Sequence, residues 1–183
     1  MKKDQRLIQS EKAIIEASIK TLLTNPSAGM SEIAQAAGVG RATLYRHFES
    51  RDALIQRLVV VCLEEIDIVT NPLYHLKGRA ALEGIIDAIM PLANRFQFLM
   101  NLWHIAGDNE AVRQISERQF EEMYAVMEEA KAAGDIDADL PTVWVVAFFD
   151  QTITAAWSLV EAGEFNASEA AECAKRSFFR GTT

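Results

Sequence analysis

A short run of the sequence, residues 31–48 (SEIAQAAGVGRATLYRHF), carries the side chains best suited to contact a polyanion. Its second half holds Arg41, Tyr45, Arg46 and His47, and no acidic residue follows Arg41 within the run. These side chains donate hydrogen bonds, and the N-terminus of a helix adds a partial positive charge that favours phosphate. The run therefore predicts a nucleic-acid contact rather than an ordinary solvated helix face.

The charge of the chain is distributed unevenly along its length. The 183 residues carry a formal net charge of −8. Residues 1–60 contain nine Lys or Arg and six acidic residues, whereas residues 61–183 contain nine and twenty. A basic N-terminal part can approach phosphates while the acidic remainder is repelled by them, which disfavours wrong orientations on DNA.

The spacing of small and apolar residues places the run on two short helices joined by a tight turn. Gly38 stands where a helix end requires left-handed backbone, which glycine adopts at little cost. Ala34 is a small residue that lets a second helix approach, and Val39 fills the angle between the two helices. Leu44 and Phe48 then face the same core. This pattern predicts a helix-turn-helix, whose second helix enters the major groove.

Helical periodicity extends over the whole chain and predicts an all-α protein. Apolar residues recur at three- and four-residue steps, and no run alternates in the manner of a strand. Proline and glycine mark most of the breaks, and Asn166 with Glu169 predicts a capping box on the last helix. After a first helix that ends at Asn25-Pro26, the predicted helices are 30–37, 41–48, 51–70, 79–90, 92–105, 109–132, 142–162 and 167–179.

Residues 7 to about 60 resemble the DNA-binding head of the tetracycline-repressor (TetR) family of bacterial transcription regulators. The IA..AGV turn (33–39), the TLYRHF core (43–48) and the RDAL opening of the fourth helix (51–54) carry the resemblance. The rest of the chain matches the family only in length and helical layout. The resemblance implies a three-helix DNA-binding domain at residues 1–50 and a helical effector-binding and dimerisation domain at residues 51–183.

The resemblance also implies which residues contact DNA. The first turn of the second short helix stands where the family reads base edges, and its later turns stand where the family holds phosphates or bases. Arg51 matches a basic residue that grips phosphate at the start of the fourth helix. The implied DNA-contacting residues are Ser31, Arg41, Ala42, Thr43, Tyr45, Arg46, His47 and Arg51.

Three positions depart from the family pattern. Gly29 and Gly40 stand at N-cap positions that usually carry Ser or Thr, whose hydroxyl caps the helix and can touch a phosphate. Glycine is a tolerable cap, so we expect these two phosphate contacts to come from the backbone alone. Ser31 stands where a basic residue is frequent. Fewer anchors would leave Arg41, Tyr45 and Arg51 with a larger share of the binding.

The last two predicted helices are too apolar for the edge of a monomer. Helix 142–162 leaves almost no polar face, and a helix that is apolar all round is buried on both sides. The resemblance implies a homodimer in which these two helices pack with their copies as a four-helix bundle, whereas one larger internal core is the alternative. The residues expected in the dimer interface are Val146, Phe149, Ile153, Trp157, Val160, Ala174 and Phe178.

Methionine and aromatic residues are concentrated in the middle of the chain. Flexible methionines beside aromatic rings are typical of an adaptable apolar pocket, although any one of them could pack in a core instead. The resemblance implies that a small, mainly apolar effector binds there and shifts the fourth helix. His104 is either a polar anchor or a core histidine. The expected effector-binding residues are Phe96, Met100, Trp103, His104, Phe120, Tyr124, Met127, Phe148 and Gln151.

The sequence indicates neither an enzyme nor a metal site. The histidines and the two cysteines, Cys62 and Cys173, are too scattered for metal-ligand spacing, and reduced buried thiols are the expected state of both. No catalytic Ser/His/Asp or Cys/His arrangement is suggested, and no cofactor is expected. The N-terminus lacks the pattern of a signal peptide. The longest apolar run, 143–149, is shorter than the roughly 20 residues of a membrane span.

Together these features predict a cytoplasmic, homodimeric repressor that binds a near-palindromic operator in double-stranded DNA and has no membrane partner. A small-molecule effector would release it from DNA. Two alternatives stay open. One is an enzyme or hydrophobic-ligand carrier with a vestigial DNA-binding head, and the other is a regulator controlled by a protein partner.

Overall fold

A computed structural model describes the backbone of residues 2–183 and the side chains of residues 11–183. The side chains of the first ten residues, which add to the predicted basic N-terminal part, lie outside that range. Among the described residues there are nine α-helices and no β-strand, which confirms the predicted all-α fold. The helices are α1 (Lys2–Thr24), α2 (Met30–Ala36), α3 (Arg41–His47), α4 (Arg51–Thr70), α5 (Gly78–Ile89), α6 (Ala93–Ala106), α7 (Glu110–Ala132), α8 (Thr142–Glu161) and α9 (Ala167–Thr182).

The predicted helix boundaries agree closely with these ranges, and the clearest case is the start of α9. The Asn166 Oδ1 accepts from the backbone N–H of Glu169 at 3.0 Å, and the backbone N–H of Asn166 donates to the Glu169 Oε2 at 2.9 Å. The predicted capping box is therefore confirmed. At its other end α9 continues past the predicted residue 179 to Thr182, because neither Arg180 nor Gly181 interrupts the helix.

The N-terminal unit comprises the chain through Cys62 together with Gln97–Val112. Within it α1 contacts α2, and α2 contacts α3. The first half of α4 belongs to this unit, whereas the predicted domain boundary lay at residue 50. The reason is burial, since one face of this half-helix is closed off from water. Its fully buried side chains are Leu54, Ile55, Leu58, Val59 and Cys62.

The C-terminal unit comprises Leu63–Phe96 and Arg113–Thr183. Helix α9 packs on both α5 and α8, and apolar side chains from these helices and from α7 form one core. The Trp157 indole Nε1 donates to the carbonyl oxygens of Ile89 and Met90, both at 3.3 Å, so its polar atom is satisfied inside this core. The ring of Phe178 meets the ring of Phe149 edge-on, at 5.2 Å between centroids.

Helix α8 is, within the described part of the chain, the one helix long and apolar enough to cross a membrane. An 18-residue stretch of this helix has a mean hydropathy of 1.4, and 33% of that stretch is buried inside the protein. A single helix of this kind is weak evidence for a span, because a core helix passes the same test. The partial burial does leave much of its apolar surface uncovered.

The two cysteines differ in environment. Cys62 is buried within α4, as expected, but Cys173 is exposed on α9. The expectation of a buried thiol is therefore wrong for Cys173, because α9 turns that position away from its packed face.

Gly78 and Gly84 allow a matched test of this packing, because both lie on α5. Gly78 has a φ of +55°, and a Cβ atom there would lie 2.4 Å from the Asp135 Oδ2, which accepts from the backbone N–H of Arg79. Gly84 has room for a Cβ atom, with its nearest neighbour on Leu73 at 3.6 Å.

We expect Gly78→Ala to lower the melting temperature in a thermal unfolding experiment. Gly84→Ala should leave it unchanged or raise it, since alanine is better than glycine by about 1 kcal/mol within a helix. A Gly78→Ala variant that melts at or above the wild-type temperature would contradict the close approach of Asp135.

Candidate nucleic-acid interface

The orientation of α3 is fixed by the residues that it buries. The helix has only seven residues, which is too short for stability in isolation, so its packing must hold it in place. Leu44 is fully buried, and Phe48, at its C-terminal end, is 7% exposed. Because these two side chains face the core, the opposite side of the helix faces solvent.

The solvent side of α3 presents the predicted contact residues. Arg41, Ala42, Tyr45 and Arg46 are exposed, while Thr43 and His47 are half-buried. Ser31 is exposed on α2. The guanidinium carbon of Arg41 lies 5.4 Å from the centroid of the Tyr45 ring, a distance at which a cation and an aromatic face attract each other. The structure therefore brings seven of the eight predicted DNA-contacting residues to the surface of α2 or α3.

The turn between α2 and α3 has the geometry that its glycines predict. Gly38 adopts a φ of +67°, and the backbone N–H of Val39 donates to the carbonyl oxygen of Ala34 at 3.0 Å. Gly29 and Gly40 are the N-caps of α2 and α3, and neither provides a side-chain cap. The free N–H groups at the start of α3 therefore stay available to a bound group.

The eighth predicted residue, Arg51, has a different environment. Its Nε donates to the carbonyl oxygen of Ala28 at 3.0 Å, and its Nη2 donates to the carbonyl oxygen of Pro26. Its side chain is 28% exposed and its Nη1 lies 3.9 Å from the Asp52 Oδ1. Arg51 therefore contacts the protein backbone with the same groups that a phosphate would need.

In the C-terminal unit, the second half of α4 is held by polar contacts from other helices. The Arg95 Nε on α6 donates to the Glu65 Oε2 at 2.5 Å. On α7, the Gln119 Nε2 donates to the Asp67 Oδ1 at 2.8 Å, and the Arg118 guanidinium also binds Asp67. Hydrogen bonding to Asp67 raises the pKa of Arg118 above its usual value. These contacts fix the position of α4 relative to α6 and α7 within this unit.

The residues predicted for the dimer interface lie inside the protomer instead. Six of them are at most 3% exposed and pack in the core of the C-terminal unit, and Val160 packs against that core. These six side chains are therefore closed off within the protomer, whereas the contact predicted for Val160 stays a prediction. A helix that is apolar all round does not reveal which of its faces meets its own chain. The six buried residues are Val146, Phe149, Ile153, Trp157, Ala174 and Phe178.

A different face of α8 is apolar and exposed. Val143 and Trp144 are each 61% exposed, and Leu159 is 39% exposed. Between them, Ala147, Gln151 and Ala155 are also exposed, at three- and four-residue steps that keep them on one side of the helix. We call Trp144, Ala147, Gln151, Ala155 and Leu159 the α8 stripe. Sequence reasoning missed it, although this spacing was a detectable signal.

An open groove of about 340 Å³ lies between α8 and α9, beside the α8 stripe. Phe148 and Gln151, both predicted effector residues, line it together with Leu159 and the exposed Cys173. Asp150 precedes Gln151 on α8 and is exposed as a residue, while burial around its carboxyl group raises its pKa to about 6.

The other predicted effector residues fall into separate groups. Met127 belongs to the core of the C-terminal unit and Phe96 packs against that core, with 3.8 Å between the ring centroids of Phe96 and Trp157. Phe120 and Tyr124 are exposed neighbours on α7, with 6.2 Å between their ring centroids.

Three further predicted effector residues, Met100, Trp103 and His104, lie on the part of α6 that belongs to the N-terminal unit. All three are exposed, so His104 is not a core histidine. Within the residues that the structure describes, no cluster of three or more His, Cys, Asp or Glu could hold a metal ion.

Comparisons with known sequences match the helix-turn-helix region. The family described as bacterial regulatory proteins, tetR family, matches residues 25–58, from the end of α1 into α4. The HTH-type transcriptional repressor LfrR of Mycolicibacterium smegmatis is 26% identical over 164 residues, which cover 85% of this chain and 77% of that protein. An uncharacterized HTH-type transcriptional regulator of Mycobacterium tuberculosis is 71% identical over 86 residues, which cover 47% of this chain and 37% of that protein.

Solved structures share the fold over nearly the whole chain. The TetR-like regulator LfrR from Mycobacterium smegmatis in complex with proflavine has a TM-score of 0.80 and 21% identity, covering 97% of this chain and 98% of that chain. A TetR family transcription regulator from Marinobacter aquaeolei has a TM-score of 0.81 and 18% identity, covering 98% of each chain. At these identities the likeness concerns the arrangement of helices.

Proposed function

We propose that this chain, whose residues 25–58 match the tetR family of bacterial regulatory proteins, is a repressor of that family. It would bind a near-palindromic operator as a homodimer and be released by a small, mainly apolar effector. We propose that the protein acts in the cytoplasm, where such an operator is found, and that it has no catalytic role. The observation that carries it is the solvent side of α3. Arg41, Tyr45 and Arg46 are exposed there without an acidic neighbour on the helix, in a chain whose net charge is −8.

The homodimer is supported by the α8 stripe and the groove beside it. Exposed apolar residues that form a continuous patch mark an interaction surface more often than scattered ones do. A second copy of the chain would cover the same stripe on both protomers, as a two-fold interface requires. Two copies of α3 could then read half-sites about one DNA turn apart, some 34–36 Å.

The stripe provides a test of assembly. Trp144→Glu or Ala155→Glu would place a charge in an apolar interface, and we expect either variant to sediment as a monomer at concentrations where the wild type is a dimer. Ile68→Glu is the matched control, because Ile68 is 70% exposed on α4 and lies outside the stripe. It should leave the sedimentation coefficient unchanged. Dimers of undiminished stability in both stripe variants would show that the interface lies elsewhere. Trp157→Glu would not serve this purpose, since it would disrupt the protomer core.

The proposed effector is a planar, mainly apolar molecule. Two observations support this chemistry: the neighbouring exposed aromatic side chains of Phe120 and Tyr124 on α7, and the complex of the related LfrR with proflavine. Rings of this kind bind flat aromatic molecules by stacking. An effector must prefer the state of the protein that cannot bind DNA, because equal affinity for both states would shift nothing.

Proflavine itself is a suitable probe for this part of the proposal. We expect it to raise the melting temperature of the wild type and to release a bound operator duplex in a fluorescence anisotropy titration. Phe120→Ala and Tyr124→Ala should weaken both effects, whereas Ile68→Ala, on an exposed apolar residue of α4, should not. Binding of proflavine that leaves the affinity for DNA unchanged would count against induction by this class of molecule.

The DNA-reading part of the proposal is tested at Arg41, which stands on the first turn of α3. The planar fork of an arginine suits the paired acceptors of guanine. Arg41→Ala should lose about 1–3 kcal/mol per half-site, and the loss should be selective for one symmetric operator position. The measurement is a selection from a random-sequence duplex pool by wild type and variant, followed by sequencing.

Tyr45→Phe is the matched control for the Arg41 experiment. It removes the Tyr45 hydroxyl but keeps the ring that lies 5.4 Å from the Arg41 guanidinium. We expect this variant to bind all sequences more weakly and to select the same operator. If Arg41→Ala also keeps the wild-type operator preference, Arg41 holds a phosphate, and base reading falls to Thr43, Arg46 or the shape of the groove.

A further inference from the structure

The segment that joins α1 to α2 is held by a side chain from α4. Residues 25–29 form this connection. Arg51, the first residue of α4, donates from its Nε to the carbonyl oxygen of Ala28 at 3.0 Å and from its Nη2 to the carbonyl oxygen of Pro26. One planar guanidinium therefore binds two backbone carbonyls of the same turn, an arrangement that its fork of donors favours.

The N–H groups of this turn donate to Asn25 and not to the carbonyl oxygens of Pro26 and Ala28. Pro26 has no N–H group. The backbone N–H of Ser27 donates to the Asn25 Oδ1 at 3.2 Å, and that of Ala28 donates to the Asn25 carbonyl oxygen at 2.9 Å. The carbonyls of Pro26 and Ala28 thus accept from outside the turn, and Arg51 supplies both hydrogen bonds.

The location of these bonds gives them an influence on the helix-turn-helix. Ala28 is 1% exposed and precedes the start of α2 by two residues. Arg51 thus ties the entry of α2 to the first turn of α4, and α2 in turn packs on α3. Loss of these two hydrogen bonds would free the start of α2 from α4 without removing any side chain from the exposed side of α3.

We propose that Arg51 is a positioning residue, which locks the α1–α2 turn onto α4 and so sets the orientation in which the α2–α3 pair meets DNA. This inference rests on the proposed binding of DNA. It replaces the phosphate contact that the family resemblance implies for Arg51.

The two roles differ in their dependence on salt. A contact between an arginine and a phosphate releases a counterion and adds about 0.9 to the slope of log affinity against log salt. A bond to a protein carbonyl releases none. The two roles also differ in their tolerance of lysine, whose ammonium group supplies a point charge for phosphate but lacks the planar fork that spans two carbonyls.

The experiment compares Arg51→Lys and Arg51→Gln with the wild type, using the full chain and a duplex that the wild type selects from a random-sequence pool. Affinities are measured over a salt series, well below the melting temperature of each variant. We expect both variants to lose affinity on the order of tenfold, because both lose the paired hydrogen bonds. Both should keep the wild-type salt slope. Arg46→Gln is the positive control, and its slope should fall by about one phosphate per subunit.

A second readout needs no DNA. Hydrogen exchange at the backbone amides of Ser27 and Ala28 should accelerate in both Arg51 variants, while the amides in the middle of α7 keep their protection. Arg51→Lys with wild-type affinity, together with a reduced slope for Arg51→Gln, would overturn the inference and restore the phosphate contact. Unchanged exchange at both amides would overturn it as well. If the wild type selects no duplex, the proposed function fails, and the exchange measurement still decides the contact of Arg51 with the turn.

Discussion

The burial of Leu44 and Phe48 is the constraint on which the arrangement of the exposed side of α3 depends. A helix of seven residues has little stability of its own, so the two apolar side chains that face the core decide how it is oriented. Once they are inside, Tyr45 and Arg46, which lie between them along the chain, face outward, as does Arg41 one turn before Tyr45, whereas His47 is half-buried. The same packing leaves the N-terminus of α3, capped by Gly40, without a side chain over its free N–H groups.

The electrostatics of the chain depend on that orientation. The net charge of −8 would repel a polyanion if it were spread evenly over the surface. Instead, basic side chains lie on the exposed side of α3, and the acidic excess lies after residue 60, where ion pairs use part of it. On α4, for example, Glu65 pairs with Arg95 and Asp67 with Arg118. The acidic residues therefore contribute to holding α4, in addition to their repulsion of DNA.

Much of the fold could be predicted from the sequence because it depends on local signals. Gly38 and the Asn166 capping box act within a few residues, and the structure has both as predicted. The exposed apolar side of α8 could not be predicted in this way. Its residues are apolar on all sides, so hydrophobic periodicity does not separate Trp157, which packs inside the protomer, from Trp144, which is exposed. The environment of Arg51 was also hidden, because its acceptors are backbone carbonyls and every residue has one.

Reading of DNA by the exposed side of α3 is tested most directly by the binding of the wild-type chain to genomic fragments of the organism that encodes it. The fragments are captured on filters at two salt concentrations and sequenced. We expect a few fragments to be retained at the higher salt, to share a near-palindromic sequence, and to bind with an affinity that falls steeply with salt. Equal retention of all fragments, or retention of none at the lower salt, would contradict it and would favour a carrier or enzyme with a vestigial head.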